Sequence, residues 1–92
     1  MYLRLTRGRV DPARAADVLQ IVPDVVAAIR ALPGAQDVRV GVDRDSGRTL
    51  SLSTFDTLEH AQFSRDRLGA GLARLQALGW EPEAPEIYEA TE

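Results

Sequence analysis

Alternation of apolar and polar residues marks several β-strands along the chain. Residues 3–6, Leu-Arg-Leu-Thr, have a period of two, which predicts a strand with one apolar face. Two more alternating runs, 38–43 and 49–55, are joined by a short segment that ends in Gly47, and this arrangement predicts a β-hairpin. A last short strand is predicted over residues 87–91.

In two stretches between these strands, apolar residues recur every three or four positions, which is typical of amphipathic helices. The first helical stretch follows Asp-Pro at 11–12, which caps and starts a helix, and it stops at Pro-Gly at 33–34. Pro23 interrupts it, so we expect a kink or break there. The second stretch spans 58–78, and Gly69 in its middle predicts a bent or split helix.

This β-α-β-β-α-β order predicts a single α+β domain over residues 1–92, with a ferredoxin-like, four-stranded antiparallel sheet and both helices on one face. We expect the valines of 38–42 and the leucines of 50–52 to pack beneath the helices. The opposite face would then be polar and would consist of Phe55 and the predicted dimer-face residues Arg4, Thr6, Arg39, Thr49, Ser51 and Ser53. Such a polar face can be exposed to solvent. A second copy would bury surface that so small a domain lacks, so we predict a homodimer.

Composition excludes several classes of protein. All 11 basic residues are arginine, and with 14 acidic residues the formal net charge is −3. A net negative charge disfavours a phosphate-binding surface, so we expect no nucleic-acid partner. The absence of cysteine excludes disulfides, thiolate metal sites and iron–sulfur clusters. No signal-peptide pattern and no membrane-spanning apolar run is present, so we expect a cytoplasmic protein without a membrane partner.

Three segments carry a family resemblance: Ala-Leu-Pro-Gly at 31–34, the hairpin at 38–52, and Ser-Thr-Phe-Asp-Thr-Leu-Glu-His-Ala at 53–61. Together they resemble the dimeric α+β barrel superfamily, and within it the antibiotic-biosynthesis monooxygenase-like (ABM-like) domains. The resemblance implies two ferredoxin-like sheets packed as a homodimer, with a small-molecule pocket between sheet and helices in each subunit.

The same resemblance bears on chemistry. Some of these relatives oxidise quinol-like aromatic substrates without metal or flavin, and others degrade haem, so a small aromatic ligand and no cofactor are implied. The well-understood members use an Asn and a Trp in the pocket. This chain has no Asn, and its one Trp is Trp80.

His60 is the candidate catalytic residue. It is the only histidine, and an imidazole suits proton transfer near neutral pH, for example in binding or deprotonating a phenol. The alternative is a surface histidine near a helix N-terminus. Phe55, Phe63 and Trp80 are candidate ligand-pocket residues, with core or dimer packing as their alternative.

A metal site is a weaker interpretation of the same region. Asp56, Glu59 and His60 have a spacing that allows shared ligation, but acids at a helix start are explained by the helix dipole, so we expect no metal. Two functions therefore stay open. One is a homodimer that binds, and in the enzymatic version oxidises, a small aromatic molecule. The other is a non-catalytic structural, interaction or regulatory module.

Overall fold

The computed structural model describes residues 1–91, which form a sheet with helices on one face. The strands are β1 (Tyr2–Arg9), β2 (Ala35–Val42), β3 (Arg48–Phe55), β4 (Glu81–Pro82) and β5 (Glu86–Glu89). The helices are α1 (Ala15–Arg30), α2 (Leu58–Ala61) and α3 (Ala70–Ala77). Short 3-10 turns precede α1 at Pro12–Arg14 and separate α2 from α3 at Arg65–Leu68.

The sheet is antiparallel throughout, in the order β2-β3-β1-β4, and β5 also pairs with β1. Gly8 and Arg9 pair with β4, whereas residues 2–5 pair with β5. The two short strands therefore share one edge of the sheet and act as a broken fourth strand. The predicted ferredoxin-like α+β fold is confirmed.

As the sequence predicts, Asp11 starts the first helical stretch and Pro-Gly ends it, although Asp11 caps the 3-10 turn that leads into α1 and not α1 itself. The Asp11 side chain accepts a hydrogen bond from the Ala13 amide at 3.0 Å, and the turn after α1 holds Gly34 at a φ of 76°. Of the kink or break expected at Pro23, the break is wrong, because α1 runs through that residue. Pro23 lies on the exposed side, and apolar contacts on both sides of it hold the helix against the sheet. Its buried residues are Ala15, Val18, Ile21, Val25 and Ile29.

The second helical stretch is split, as Gly69 predicts. α2 ends after four residues, and α3 starts directly after Gly69, whose φ of 66° and ψ of −136° suit glycine alone. The split leaves an irregular segment, 62–69, above one end of the sheet. This segment forms one wall of the site described below.

The hairpin register reverses the expected positions of the leucines. Val40 pairs with Ser51 and Arg39 with Leu52, and paired residues share one face of a sheet. The valines therefore lie beneath the helices with the serines, while Leu50 and Leu52 lie on the open face. The turn sets this register: its hydrogen bonds leave Val42 opposite Thr49, and a shift of one residue would be needed to pair valine with leucine.

The predicted dimer face is consequently wrong for five of its six residues. Arg4, Thr6 and Ser53 are only 6%, 8% and 2% exposed and lie on the helix-covered face with Thr49 and Ser51. Arg39 alone stays on the open face, where it is exposed. The open face also carries Leu3, Leu5, Leu50, Leu52 and Tyr88, which we call the leucine face, and the same register puts Arg7, Thr54 and Glu86 beside them.

Candidate functional site

The cavity between sheet and helices is small. It has a volume of about 40 Å³ and lies under α1 and α3. A cavity that admits benzene has a volume of about 150 Å³, so this one does not hold an aromatic ring. The Trp80 indole N–H donates to the Thr49 hydroxyl at 2.9 Å and helps to close it. Its lining includes Thr6, Val18, Val22, Val25, Val40, Ser51 and Leu75.

A larger cleft lies between the end of α1 and the irregular segment 62–69. Its volume is about 260 Å³, which is enough for a small aromatic molecule. We call it the His60 cleft. It combines an apolar wall with an imidazole, an arginine and an acid, and its lining consists of Leu32, Pro33, Glu59, His60, Gln62, Phe63, Ser64 and Arg67.

His60 and Asp56 form a side-chain pair on the rim of this cleft. Thr57 caps α2 by accepting a hydrogen bond from the His60 amide at 3.1 Å, which places His60 one helical turn after Asp56. The His60 Nδ1 lies 2.6 Å from Oδ1 of Asp56. A carboxylate at Nδ1 accepts its proton, so Nε2 of the neutral ring is left free to accept another.

The protonation state of Asp56 depends mainly on that contact. The hydrogen bond from His60 lowers the pKa of the Asp56 carboxyl below its usual value. His60 is 38% exposed and Asp56 is 48% exposed, so solvent reaches both side chains. Asp56 therefore stays ionised near neutral pH and orients the imidazole.

Gly34 makes room for the pair. A Cβ at Gly34 would lie 2.0 Å from Oδ1 of Asp56 and 2.3 Å from Nδ1 of His60. The Asp56 amide also donates to the Gly34 carbonyl at 3.1 Å. The Leu-Pro-Gly stop, predicted from sequence as a helix end, thus has a second role as the floor under the Asp56–His60 pair.

The structure brings together only two of the three predicted ligand-pocket residues. Phe63 lines the His60 cleft, and fully buried Phe55 lies behind it, with 5.6 Å between ring centroids. Trp80 lines the small sheet–helix cavity instead. Sequence reasoning missed Arg67, because one arginine among 11 carries no distinguishing signal.

Arg4 supports the cleft from below. Its guanidinium lies 3.8 Å from the centroid of the Phe63 ring, and Nη1 donates to the carbonyls of Ala61 at 2.9 Å and Phe63 at 2.8 Å. Arg4 therefore fixes the start of the irregular segment. The alternation of strand β1 could not identify this role, because it put Arg4 on the wrong face.

A wider groove, of about 640 Å³, lies at the other end of the sheet beside β4. It mixes three arginines with three acidic residues, so it has no preference for a ligand of either charge. None of the predicted catalytic or pocket residues lines it. Its charged members are Arg7, Arg9, Asp43, Arg48, Glu81 and Glu83.

Two further properties concern the described residues 1–91. They contain no group of three or more histidine, cysteine or acidic side chains arranged to hold a metal ion. They also contain no helix with the length and apolar character required to cross a membrane.

Comparison with known proteins places the fold. No family profile and no curated protein matches the chain. Solved structures do: a Deinococcus radiodurans protein described as a candidate antibiotic biosynthesis monooxygenase has a TM-score of 0.76 and 21% identity, over 100% of this chain and 94% of that one. SnoaB of Streptomyces nogalater, a cofactor-independent oxygenase, has a TM-score of 0.73 and 16% identity, over 99% and 93%.

A Nitrosomonas europaea protein with the same description as the Deinococcus one has a TM-score of 0.74 and 13% identity, over the full length of both chains. The chain therefore has the fold of antibiotic biosynthesis monooxygenase domains, and the predicted ABM-like fold is confirmed. At these identities the likeness concerns the fold.

Proposed function

We propose that this protein is a homodimer that binds a small phenol or quinol in the His60 cleft and accepts its phenolic proton on His60. The observation that carries the proposal is the 2.6 Å Asp56–His60 contact on the rim of a 260 Å³ cleft. In this arrangement the phenolic O–H bond breaks, the proton goes to Nε2, and the phenolate stays in the cleft. Asp56 stabilises the imidazolium that results.

The remaining walls suit such a ligand. Phe63, Leu32 and Pro33 offer apolar contacts to the ring. Arg67 offers a positive charge to the phenolate, while Glu59 on the same rim disfavours a ligand that is already strongly anionic. A phenol is neutral when it enters the cleft and becomes negatively charged only after it has given its proton to His60. Such a ligand is compatible with both Arg67 and Glu59. Oxygenation is a further step, for which the chain has no Asn of the kind that related oxygenases use.

The homodimer is supported by the leucine face. Leu50 is 44% and Tyr88 50% exposed, and they lie on the same face of the sheet as the other leucines. Contiguous apolar patches of this kind mark interaction surfaces, and a two-fold contact covers such a patch with its own copy. Two sheets packed through their leucine faces would form the dimeric α+β barrel implied by the resemblance.

Calorimetric titration tests the binding proposal. Phenol and hydroquinone should bind the wild type, whereas anisole, which has no acidic proton, should bind at least about ten-fold more weakly. His60→Gln should reduce the affinity for phenol by about ten-fold or more, because a hydrogen bond to a charged group is lost. The control Leu58→Gln, on an exposed residue of α2 outside the cleft, should bind like the wild type.

A second candidate function is a non-catalytic interaction module. The small sheet–helix cavity of about 40 Å³ favours it, because the interior offers no ready ligand site. Absence of saturable binding for every phenol and quinol, together with no oxygen uptake in air, would reject the first proposal in favour of this one.

A further inference from the structure

Arg4 is a buried cation behind one wall of the His60 cleft. It is 6% exposed, and its guanidinium lies 3.8 Å from the centroid of the Phe63 ring. Phe63 lines the cleft and Arg4 does not, so the guanidinium contacts this wall from outside the cleft. A ligand ring in van der Waals contact with Phe63, at about 3.5–4.0 Å, would lie roughly 7–10 Å from the charge of Arg4.

The charge of Arg4 is not neutralised by an acid among residues 1–91, because the ion pairs of these residues do not include it. Its hydrogen bonds go to the carbonyl oxygens of Ala61 and Phe63, which carry only partial negative charge. Burial and then the positive charge of Arg65 lower the pKa of Arg4 to about 10, which still leaves it protonated at neutral pH. A buried charge is weakly screened, so it acts on its surroundings at this range.

Arg4 also decides the balance of charge around the cleft. Six charged residues lie on its rim, line it, belong to the irregular segment 62–69 or contact that segment. They are the acids Asp56, Glu59 and Asp66 and the arginines Arg4, Arg65 and Arg67. With Arg4 these charges cancel while His60 is neutral. Without Arg4 a negative charge remains, and it would oppose the formation of a phenolate.

We infer that Arg4, acting from behind Phe63, is a positioning residue that stabilises the phenolate formed in the His60 cleft and excludes cationic aromatic ligands. The inference rests on the proposed function and narrows its ligands to neutral phenols and quinols, as opposed to aromatic ammonium ions. An aromatic wall on its own attracts a cation to its ring. The Phe63 ring already has the Arg4 guanidinium against it, and that charge repels a second cation.

Arg4 has a mechanical role that must be separated from this electrostatic one. Nη1 donates to the carbonyls of Ala61 at 2.9 Å and Phe63 at 2.8 Å, which holds the start of the irregular segment. Loss of these hydrogen bonds would loosen the cleft for every ligand alike. Loss of the charge would change the ratio in which charged and neutral ligands bind. Ligands of one shape and different charge therefore distinguish the two roles.

4-Nitrophenol tests the effect on the phenolate, because its absorbance distinguishes the ionised form from the neutral one. In the saturated complex at a fixed pH, the ratio of phenolate to phenol should be about ten-fold lower in Arg4→Gln than in the wild type. The control Arg44→Gln removes an exposed positive charge from the hairpin turn and should keep the wild-type ratio. An unchanged ratio in Arg4→Gln would overturn this inference and leave the phenol site standing, whereas failure of the wild type to bind nitrophenol would overturn both.

Benzylamine and benzyl alcohol test the exclusion of cations, because they have nearly the same shape and only the amine is charged at neutral pH. The wild type should bind benzyl alcohol more tightly than benzylamine. In Arg4→Gln the ratio of the two affinities should move towards benzylamine by about ten-fold, a change that a loosened wall does not produce. Arg4→Lys, which keeps the charge, should retain the wild-type ratio. Tighter binding of benzylamine by the wild type would contradict the inference, and this comparison holds even if Arg4→Gln does not fold.

Discussion

Nδ1 of His60 lies 2.6 Å from Oδ1 of Asp56, and the two side chains lie directly over the backbone of the turn that ends α1. This contact joins the start of α2 to the end of α1. It also leaves one imidazole nitrogen available at the cleft. The stability of the turn and the chemistry of the site therefore depend on the same pair.

Replacement of Gly34 should disturb the pair directly. Gly34→Ala places a Cβ 2.0 Å from Asp56 Oδ1 at a φ of 76°, so we expect a loss of about 2–4 kcal/mol in the free energy of unfolding. Gly79→Ala is the matched control, because Gly79 has a φ of 83° and open space at its Cβ position. It should cost about 1 kcal/mol. Urea denaturation measures both, and equal losses would refute the steric role of the pair.

Acid should weaken the Asp56–His60 contact. Because the folded-state pKa of Asp56 is lowered, its stabilising contribution is complete above the unfolded pKa of about 3.9 and is lost as the pH falls through the lower folded value. The ¹³C resonance of the Asp56 carboxyl reports this pKa. In His60→Gln the pKa should rise towards its ordinary value, since the hydrogen bond from His60 is the largest cause of the shift. An unchanged titration curve would show that another group lowers it.

The leucine face should control assembly. Leu50→Glu puts a negative charge on this face, so we expect the sedimentation coefficient to fall to that of a monomer. Leu58 has the same 44% exposure as Leu50 but belongs to α2 on the other side of the sheet, so Leu58→Glu should leave a dimer. Dissociation by both variants, or by neither, would be inconsistent with a leucine-face dimer.

Trp80 distinguishes the two cavities. It lines the small sheet–helix cavity and not the His60 cleft, and it is the only tryptophan. Excited at 295–300 nm, where phenol does not absorb, its emission should be unchanged when phenol saturates the protein. Thr49→Val, which removes the acceptor of the indole hydrogen bond at 2.9 Å, should change the emission and serves as the positive control. Saturable quenching by phenol would place the ligand in the other cavity.

Much of the fold follows from local sequence signals. The Asp11 cap, the Pro-Gly stop at 33–34 and the hairpin glycine each depend on a residue type with one preferred conformation. Local signals of this kind do not predict which face of the sheet the helices cover. Both faces of β3 carry residues that can be buried, so only the turn register decides between Leu52 and Ser53.

Part of the candidate site was also predictable from local sequence signals. His60 is unique in composition, and its spacing of four from Asp56 on a capped helix indicates a contact. Arg4 and Arg67 carry no such mark in a chain whose basic residues are all arginine. Their roles depend on the split between α2 and α3, where backbone geometry, and not a motif, positions the wall of the cleft.

The single imidazole allows the most direct test of the proposed function. The Cε1–H proton of His60 gives one unambiguous resonance, because the chain has no other histidine. Titration of the wild type with phenol should move this resonance towards its position in the imidazolium ion, saturating at the affinity found by calorimetry. A resonance that stays in place while phenol binds would contradict proton acceptance by His60, and with it the central claim.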